Sequence, residues 1–326
     1  MKAIVYEKYG PPDVLQLREI EKPVPGDNEI LVKIHAASVN PADWHTMRGK
    51  PFLIRLTGGL FNPKNPILGI DIAGEVEAVG KNITEFKPRD AVFGDCGWGG
   101  GFAEYVCVSA ERVVLKPENV TFDEAASVSV AAITALQALR DHGKIQPEQK
   151  VLINGASGGV GTFAVQMAKY FGAEVTGVCS SRNLELVRSL GAHQVIDYTR
   201  EDFTRTGQGY DLIIDNVANH SVLDLKRALN PGGNCVIVGF TSLPLLVQHI
   251  ALGPLLSTVS SKKVGSMGIA NPNRKDMLFL SELLETGKLK PVIDKQYPLS
   301  EAAEAIRYVE AGHARGKVVL NVRQTH

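Results

Sequence analysis

The stretch VLINGASGGVG, residues 151–161, runs a short apolar strand directly into a glycine-rich turn and then into a helix. Gly155, Gly158 and Gly161 lie three residues apart, a spacing that permits a tight turn, close approach of the backbone to a phosphate, and close packing of helix on strand. The N–H groups at the start of that helix then face an anion. The sequence therefore predicts a cradle for a dinucleotide pyrophosphate, lined by Gly155, Ser157, Gly158, Gly159, Val160 and Gly161.

The composition limits the kind of partner. The chain has 326 residues and 44% hydrophobic content, enough for two cores. Its 35 basic and 35 acidic side chains cancel, which argues against nucleic acid and anionic membranes as partners and favours a small molecule. The four cysteines show no CxxC spacing, which indicates reduced thiols rather than disulfides or a zinc knuckle. The N-terminus MKAIVYEKYG is typical of a strand, not of a signal peptide, so we expect a cytoplasmic protein.

One apolar run, LPLLVQHIALGPLLSTV at residues 243–259, is interrupted by proline, glycine and histidine. A membrane span needs about 20 predominantly apolar residues. We therefore expect no span here and favour a helix at a domain or subunit interface, with a loose membrane-surface contact as the alternative.

The first part of the chain is predicted to be β-rich and barrel-like, with short strands punctuated by proline and glycine at residues 3–6, 30–36, 72–79, 91–93, 103–108 and 112–115. Thr121, followed by Asp123 and Glu124, signals the start of one alanine-rich helix over 125–139 that ends near Gly143.

From residue 151 onward the pattern alternates between strand and helix. Strands are predicted at 151–154, 174–179, 194–196, 211–215 and 235–238, with helices at 160–171 and 184–190 and a further segment at 221–229. This alternation is typical of an α/β fold with a doubly wound parallel sheet. Two later helices, 274–285 and 300–310, and a strand at 317–322 fall outside it and are predicted to return to the first domain. The predicted domains are 1–122 completed by 266–326, and 123–265.

The end of the second predicted strand indicates which cofactor binds. NAD-selective Rossmann sites place an acid there to bind the ribose hydroxyls. This chain has Ser180, Ser181 and Arg182 instead, which suit a phosphate. We therefore predict NADPH; the alternative is that Arg182 is only a solvated residue at a helix start.

Several separated motifs agree with one family: SVNPADWHTMRG (38–49), GIDIAGEVEAVG (69–80), GGFAEYV (100–106), AAITALQAL (131–139), NGASGGVG (154–161), LGAHQVIDY (190–198) and HARGKVVL (313–320). Over nearly its whole length the chain resembles the zinc-independent, zeta-crystallin-like quinone oxidoreductase branch of the medium-chain dehydrogenases/reductases. The resemblance implies a GroES-like catalytic domain, a Rossmann domain and a homodimer.

The metal ligands of the related zinc alcohol dehydrogenases are replaced in this sequence. By motif, their Cys, His and Cys ligands fall at Asn40, at Ile70 beside Asp71, and near Val130, none a normal zinc ligand. We therefore expect a metal-free enzyme. Without a Lewis acid, conjugated acceptors are favoured, because hydride transfer to a quinone or an enone gives a delocalised anion. The alternatives are a reductase of enoyl thioesters or alkenal lipids, and a low-turnover NADPH-binding structural or sensing protein.

Three residues are candidates for catalysis, each with an alternative role. Asn40 is predicted to bind the acceptor oxygen, or is a turn residue before Pro41. Asp43 orients this loop or helps to bind the nicotinamide side, or is the N-cap of a helical turn at 44–47. His45 stands where many quinone reductases carry Tyr, and is either a proton donor or a surface histidine with no partner.

The resemblance and the position of strand ends predict the remaining contacts. Tyr198 is assigned to the adenosine phosphate, with simple packing as the alternative, and segment 51–66 either covers a long apolar acceptor or is a surface loop. The residues predicted around the nicotinamide and the exit from the Rossmann domain are Thr134, Asn216, Val217, Gly239, Phe240, Ser266 and Met267.

Overall fold

The structure, a computed structural model, describes residues 1–258 and 260–322. Its strands are β1 (Lys2–Val5), β2 (Gln16–Glu19), β3 (Glu29–Val39), β4 (Asp71–Val79), β5 (Ala91–Asp95), β6 (Tyr105–Ser109), β7 (Val113–Leu115), β8 (Lys150–Asn154), β9 (Glu174–Cys179), β10 (Gln194–Asp197), β11 (Tyr210–Asp215), β12 (Leu229–Ile237), β13 (Lys263–Ser266), β14 (Ile293–Pro298) and β15 (Lys317–Asn321).

Ten α-helices are found among the described residues: α1 (Pro41–Arg48), α2 (Leu53–Gly58), α3 (Phe122–Ala126), α4 (Ser129–Gln137), α5 (Gly159–Tyr170), α6 (Leu184–Ser189), α7 (Val222–Ala228), α8 (Leu243–Thr258), α9 (Arg274–Glu285) and α10 (Ala302–Glu310). The contacts divide the chain into two units, Met1–Ala131 with Pro272–His326 and Ala132–Asn271. The domain bounds expected from the sequence, 1–122 with 266–326 and 123–265, stay a prediction.

The first unit is built around β3. This strand pairs antiparallel with β4, β6 and β15, and the sheet runs in the order β14, β15, β3, β4, β5, β7. Ile30, Val32 and Ile34 are buried in one core together with Ile72 and Val318. The strand is buried on both faces for most of its length, since Leu31 is buried as well and only Lys33 is exposed. The strands at 30–36 and 317–322 predicted from the sequence are thus neighbours, although almost three hundred residues separate them.

The second unit is a parallel sheet of six strands in the order β10, β9, β8, β11, β12, β13. Numbered within the unit this is the order 3-2-1-4-5-6, that of a doubly wound Rossmann fold. The strands are continuous apolar runs such as Val151, Leu152 and Ile153, all fully buried, because helices cover both faces of such a sheet. The predicted α/β fold with a doubly wound parallel sheet is confirmed.

The prediction of one helix over 125–139 is wrong. Thr121 does cap a helix start, since its side chain accepts from the backbone N–H of Glu124, but α3 ends at Ala126. There Ser127 donates both its hydroxyl, at 2.7 Å, and its backbone N–H to the Glu124 carbonyl, and residues 127–128 form a turn. The chain resumes as α4 and closes with a π-helical turn, Ala138–His142. Alanine content cannot reveal such a break.

Three strands escaped prediction: β2, β13 and β14. β2 is exposed at every residue and β14 is largely exposed, so neither carries the apolar alternation on which the prediction relied. β13 is a short strand at the edge of the sheet and pairs only with β12.

The apolar run at 243–259 forms α8, except for Val259, which lies outside the described residues. Gly253 approaches β13, where an added Cβ would stand 2.6 Å from the Val264 carbonyl oxygen, and His249 is buried. Val247, Ile250 and Leu255 are exposed. Among residues 1–258 and 260–322, no helix has the length and apolar character needed to cross a membrane. The assignment of α8 to an interface stays a prediction.

Candidate functional site

The predicted cofactor residues of the second unit gather at the end of the sheet that is formed by the carboxyl ends of its strands. In the register of the parallel strands, Asn154 lies opposite Val178 and Asp215, Asp215 opposite Ile237, and Ile237 opposite Ser266. The carboxyl ends of parallel strands therefore meet at one edge, which is where ligands bind in open α/β sheets.

The glycine turn joins β8 to α5. Gly155 has a φ of +75°, a conformation that favours glycine, and its carbonyl accepts from the Gly158 N–H at 3.1 Å. At Gly161 a Cβ would stand 2.1 Å from the Gly155 oxygen, so only glycine allows the helix to pack this closely on the turn. The packing of the fold itself therefore explains these two glycines.

Gly158 is different, and it tests whether a dinucleotide fits. It is the N-cap of α5 in an extended conformation, and an added Cβ would meet only the Gly155 oxygen, at an ordinary 3.5 Å. The protein itself leaves room for a side chain here. No side chain caps the helix start, so its first N–H groups point outward. Glycine at an uncapped helix start is what a close phosphate requires, and the turn fits a dinucleotide.

The residues predicted to select NADPH over NADH directly follow β9. Ser180 and Ser157 both accept hydrogen bonds from the buried Asn183 amide, at 3.2 and 3.0 Å, which links this edge to the glycine turn. Arg182 follows on the surface. Tyr198 comes one residue after β10 with 62% of its surface exposed, so the alternative of simple packing does not describe it.

An acid that the sequence analysis did not consider lies beside these residues. Asp197 ends β10 directly opposite Cys179, the last residue of β9. Its carboxylate accepts from the hydroxyls of Ser181, at 2.5 Å, and Thr199, at 2.7 Å, and the Ser181 bond is the main cause that lowers the pKa of Asp197. Ser181 therefore faces Asp197, which leaves Ser180 and Arg182 as the candidates for a phosphate.

Two polar residues that were not singled out from the sequence, Asn154 and Asp215, lie at the ends of β8 and β11 and shape the predicted cofactor edge. Asp215 is fully buried; its Oδ1 accepts from Asn154 Nδ2 at 2.7 Å and from the N–H groups of Val217 and Ala218, while Oδ2 has no partner among the described residues. The signal was present in the sequence, because each apolar strand ends in one polar residue. Asp215 thus shapes the loop that starts at Asn216.

That loop and the loop after β12, both predicted to lie around the nicotinamide, contact each other. Gly239 is so close to Asn216 that a Cβ would stand 2.3 Å from the Asn216 carbonyl oxygen. Met267 donates its N–H to Ile237 at 3.1 Å, and Ser266 accepts from Gly268. The other predicted residues lie half-buried in the same unit: Thr134 on α4, Val160 in the first turn of α5, and Phe240 after β12. Their cofactor contacts stay predictions.

In the first unit, the positions that correspond to zinc ligands in the related dehydrogenases converge on Asp71. This carboxylate is fully buried at the start of β4. Oδ1 accepts from the Val130 N–H at 2.9 Å, and Oδ2 accepts from Ser38 Oγ at 2.9 Å, Asn40 Nδ2 at 3.0 Å and Lys317 Nζ at 3.2 Å. The network is fixed by strand register, since Ser38 pairs with Asp71 across β3 and β4, and Val39 pairs with Val318 next to Lys317.

These residues do not fit zinc. Asn40, Ile70 and Val130 offer no thiolate, imidazole or carboxylate, and the Asp71 oxygens are occupied by four donors, one of them a cation. In the described part of the chain, no group of three or more His, Cys, Asp and Glu side chains is arranged to hold a metal ion.

Asn40 and Asp43 are both held firmly. Asn40 is the N-cap of α1, is 3% exposed, and accepts from Lys317 Nζ at 2.6 Å as well as donating to Asp71. Asp43 is the third residue of α1, where its carboxylate accepts from the N–H groups of Asn40 at 2.7 Å and Gly69 at 3.0 Å. The alternative that Asp43 is an N-cap is wrong, because the helix begins at Pro41, and its first role, orienting the loop, agrees with these bonds.

His45 has a partner, so the alternative of an unpartnered surface histidine is wrong. Its Nδ1 donates to the Lys50 carbonyl at 2.8 Å and its ring stacks on Trp44 with centroids 3.5 Å apart. Burial lowers the pKa of His45, and the Lys50 carbonyl already engages the Nδ1–H. Proton donation by His45 stays a prediction. Segment 51–66 includes the short helix α2 and exposes Phe52, Leu53 and Phe61.

Comparison with known proteins agrees with this geometry. The family model for zinc-binding dehydrogenases matches residues 190–320, and the alcohol dehydrogenase GroES-like domain matches residues 26–118. The chloroplastic quinone-oxidoreductase QR1 of Triphysaria versicolor is 36% identical, with 98% of both chains covered. The mitochondrial NAD(P)H oxidoreductase RTN4IP1 of Danio rerio is also 36% identical, over 99% of this chain and 92% of its own length.

Solved structures agree as well. The quinone oxidoreductase of Coxiella burnetii superposes with a TM-score of 0.88 at 33% identity over 99% of both chains. The Escherichia coli quinone oxidoreductase complexed with NADPH gives a TM-score of 0.83 at 25% identity, over 99% of this chain and all of that one. These similarities define an NAD(P)H-dependent oxidoreductase. The chain belongs to the quinone oxidoreductase branch of the medium-chain dehydrogenase/reductase superfamily.

The contrast between two glycines gives a first prediction. Gly158→Ala should change the free energy of unfolding by less than about 1 kcal/mol, because its Cβ meets only an ordinary contact. It should nevertheless weaken NADPH binding severalfold. Gly161→Ala should destabilise the protein by roughly 1–3 kcal/mol, because its Cβ strikes backbone. Urea unfolding and fluorescence titration measure both effects; equal destabilisation by the two variants would contradict the assignment.

Asp43 gives a prediction for pH dependence. Burial is the largest cause that raises the pKa of its carboxyl from 3.8 to about 7, against the opposing backbone N–H donors. Because the folded protein then holds this proton more tightly than the unfolded chain, the free energy of unfolding should fall as the pH rises from about 4 to about 7, by up to roughly 4 kcal/mol. Asp43→Asn should lack this fall.

Urea unfolding between pH 4 and pH 8 measures the difference between the wild type and Asp43→Asn. Asp13→Asn, which removes an exposed carboxyl, serves as the matched control. A pH profile of Asp43→Asn parallel to that of the wild type would show that Asp43 does not titrate in this range.

Proposed function

We propose that this protein is a metal-free NADPH-dependent reductase of quinones and α,β-unsaturated ketones. The observation that carries the proposal is the saturated Asp71 network, in which Asn40 and Val130, at positions that correspond to zinc ligands in related dehydrogenases, donate hydrogen bonds to Asp71 together with Ser38 and the Lys317 ammonium. The first unit is the proposed catalytic domain and the second the proposed NADPH-binding domain.

Conjugated acceptors match such a site because their reduction needs little charge stabilisation. A nicotinamide held by the second unit would supply the hydride for the β-carbon of an enone or for a quinone. The C=C π electrons move toward oxygen, and the resulting enolate or phenolate is delocalised and is then protonated. Hydrogen-bond donors suffice for such an anion. The proposed donor is the Asn40 amide, with Asp43 holding its loop through the bonds to Asn40 and Gly69.

The preference for NADPH over NADH is proposed from Ser180 and Arg182. Ser180 is linked through Asn183 to the glycine turn, and Arg182 lies next to it on the surface. A 2′-phosphate binds well to hydroxyl and guanidinium groups. Asp197 does not oppose this, since Ser181 and Thr199 bind its carboxylate. The predicted homodimer and cytoplasmic location belong to the same proposal; the names of the two relatives above place those proteins in chloroplasts and mitochondria.

The reaction is tested by NADPH oxidation against a panel of acceptors: 1,4-benzoquinone, 9,10-phenanthrenequinone, a short enone, a 2-alkenal, an enoyl thioester and a simple ketone. We expect turnover with the quinones and the enone, no turnover with the simple ketone, and no change when EDTA is present. Preference for the enoyl thioester or the alkenal would favour the alternative reductases. NADPH binding without any turnover would favour a structural or sensing role, and loss of activity in EDTA would contradict a metal-free reaction.

The cofactor preference is tested with Arg182→Ala. We expect NADPH affinity to fall about tenfold, because a charge-assisted contact at an exposed site is lost, while NADH affinity stays unchanged. Arg205→Ala is the control, since Arg205 is another exposed arginine of the same unit, paired with Asp202. Equal discrimination between the two cofactors in Arg182→Ala and the wild type would reject the role of Arg182.

A further inference from the structure

Lys317 is a charged side chain that the reaction proposed above leaves without a role. It starts β15 with only 3% of its surface exposed, and its Nζ donates to Asn40 Oδ1 at 2.6 Å and Asp71 Oδ2 at 3.2 Å. An ammonium is costly to bury and is stable only where partners compensate it. Here the partners include Asn40, the residue that occupies a zinc-ligand position of the related dehydrogenases.

Lys317 and Asp71 together fix which way the Asn40 amide points. With Oδ1 against the ammonium and Nδ2 against the carboxylate, both contacts are attractive. The flipped amide would set its NH₂ group against the ammonium and its oxygen against the carboxylate, so both contacts would be repulsive. Asn40 cannot choose this orientation by itself, since the two ends of an amide have nearly the same shape.

The fixed Asn40 amide has a second N–H that the bond to Asp71 does not use. Nδ2 carries two hydrogens, and within residues 1–258 and 260–322 the structure records Asp71 as its one acceptor. The ammonium on the oxygen end of the amide polarises it and makes that second N–H a stronger donor, because hydrogen bonds in a chain strengthen one another. A donor held in advance in a dry site stabilises developing negative charge.

We propose that Lys317 is a positioning residue for hydride transfer. It fixes the Asn40 amide so that one N–H is presented to the acceptor oxygen, and it polarises that N–H as charge develops there. The inference rests on the proposed reduction of a conjugated acceptor. The ammonium thus contributes, through Asn40, part of the positive potential that a metal ion supplies directly.

The experiment compares steady-state kinetics of the wild type, Lys317→Met and Lys317→Arg with the best acceptor of the panel. We expect Lys317→Met to lower kcat by about tenfold to a hundredfold, somewhat less than direct loss of an oxyanion donor. KM for the acceptor and the Kd for NADPH should change little. Lys317→Arg keeps the charge and should restore part of kcat. Lys33→Met, which removes an exposed lysine of β3, is the control.

A double-mutant cycle shows whether Lys317 acts through Asn40. In the Asn40→Ala background, Lys317→Met should cost little further in kcat, because the amide that it orients is already gone. Additive losses, or an unchanged kcat in Lys317→Met, would overturn the inference.

Lys317→Met leaves the Asp71 charge unpaired in the core and so endangers folding. The variant Asp71→Asn/Lys317→Met removes both charges and keeps similar side-chain volumes. It should unfold near the wild-type temperature and still show the lowered kcat, whereas wild-type kcat in this folded variant would overturn the inference. If the wild type itself reduces no conjugated acceptor, the proposed function fails; if the wild type is active and the lysine variants equal it, only the role of Lys317 fails.

Discussion

A single buried carboxylate, Asp71, joins the parts of the first unit that carry its candidate site. Donors reach it from the end of β3, from the first turn of α4 and from the start of β15. Because Asp71 is fully buried, the loss of any donor would leave part of its negative charge uncompensated. The strand ends must therefore stay in register so that all four donor groups reach the carboxylate. This buried network therefore holds the loop that contains Asn40 and Asp43. Any function at this loop depends on the strands that hold Asp71 in position.

The second unit places its candidate site by a different constraint. Six parallel strands end at one edge, and each central strand contributes one polar residue just past its apolar run, Asn154 on β8 and Asp215 on β11. Their mutual hydrogen bond lies beneath the loops at Asn216 and Gly239. Backbone geometry and buried amides, rather than long exposed side chains, thus prepare the surface on which a dinucleotide lies in the proposed function.

The sequence allowed much of this to be predicted wherever a pattern is local. The glycine turn, the strands of the Rossmann part and helix α9 follow from spacing and apolar runs within a few residues. The strands β2 and β14, which have no buried residue, and the turn after α3 do not, because no local apolar pattern marks them. Lys317 could not be singled out, because a lysine at a strand start is usually solvated and its partner Asn40 lies 277 residues away in the chain. Asp197 could not be singled out either, because the pairing of β9 with β10 brings it to Ser181.

The glycine turn contains glycines of two kinds, which differ in whether the packing of the chain requires them. The backbone conformation at Gly155 and the close helix packing at Gly161 require glycine, so a sequence that keeps this turn needs glycine at both positions. Gly158 answers no such demand. Folding alone would accept alanine or serine at position 158, so a requirement for glycine there would have to come from a molecule that approaches the backbone from outside.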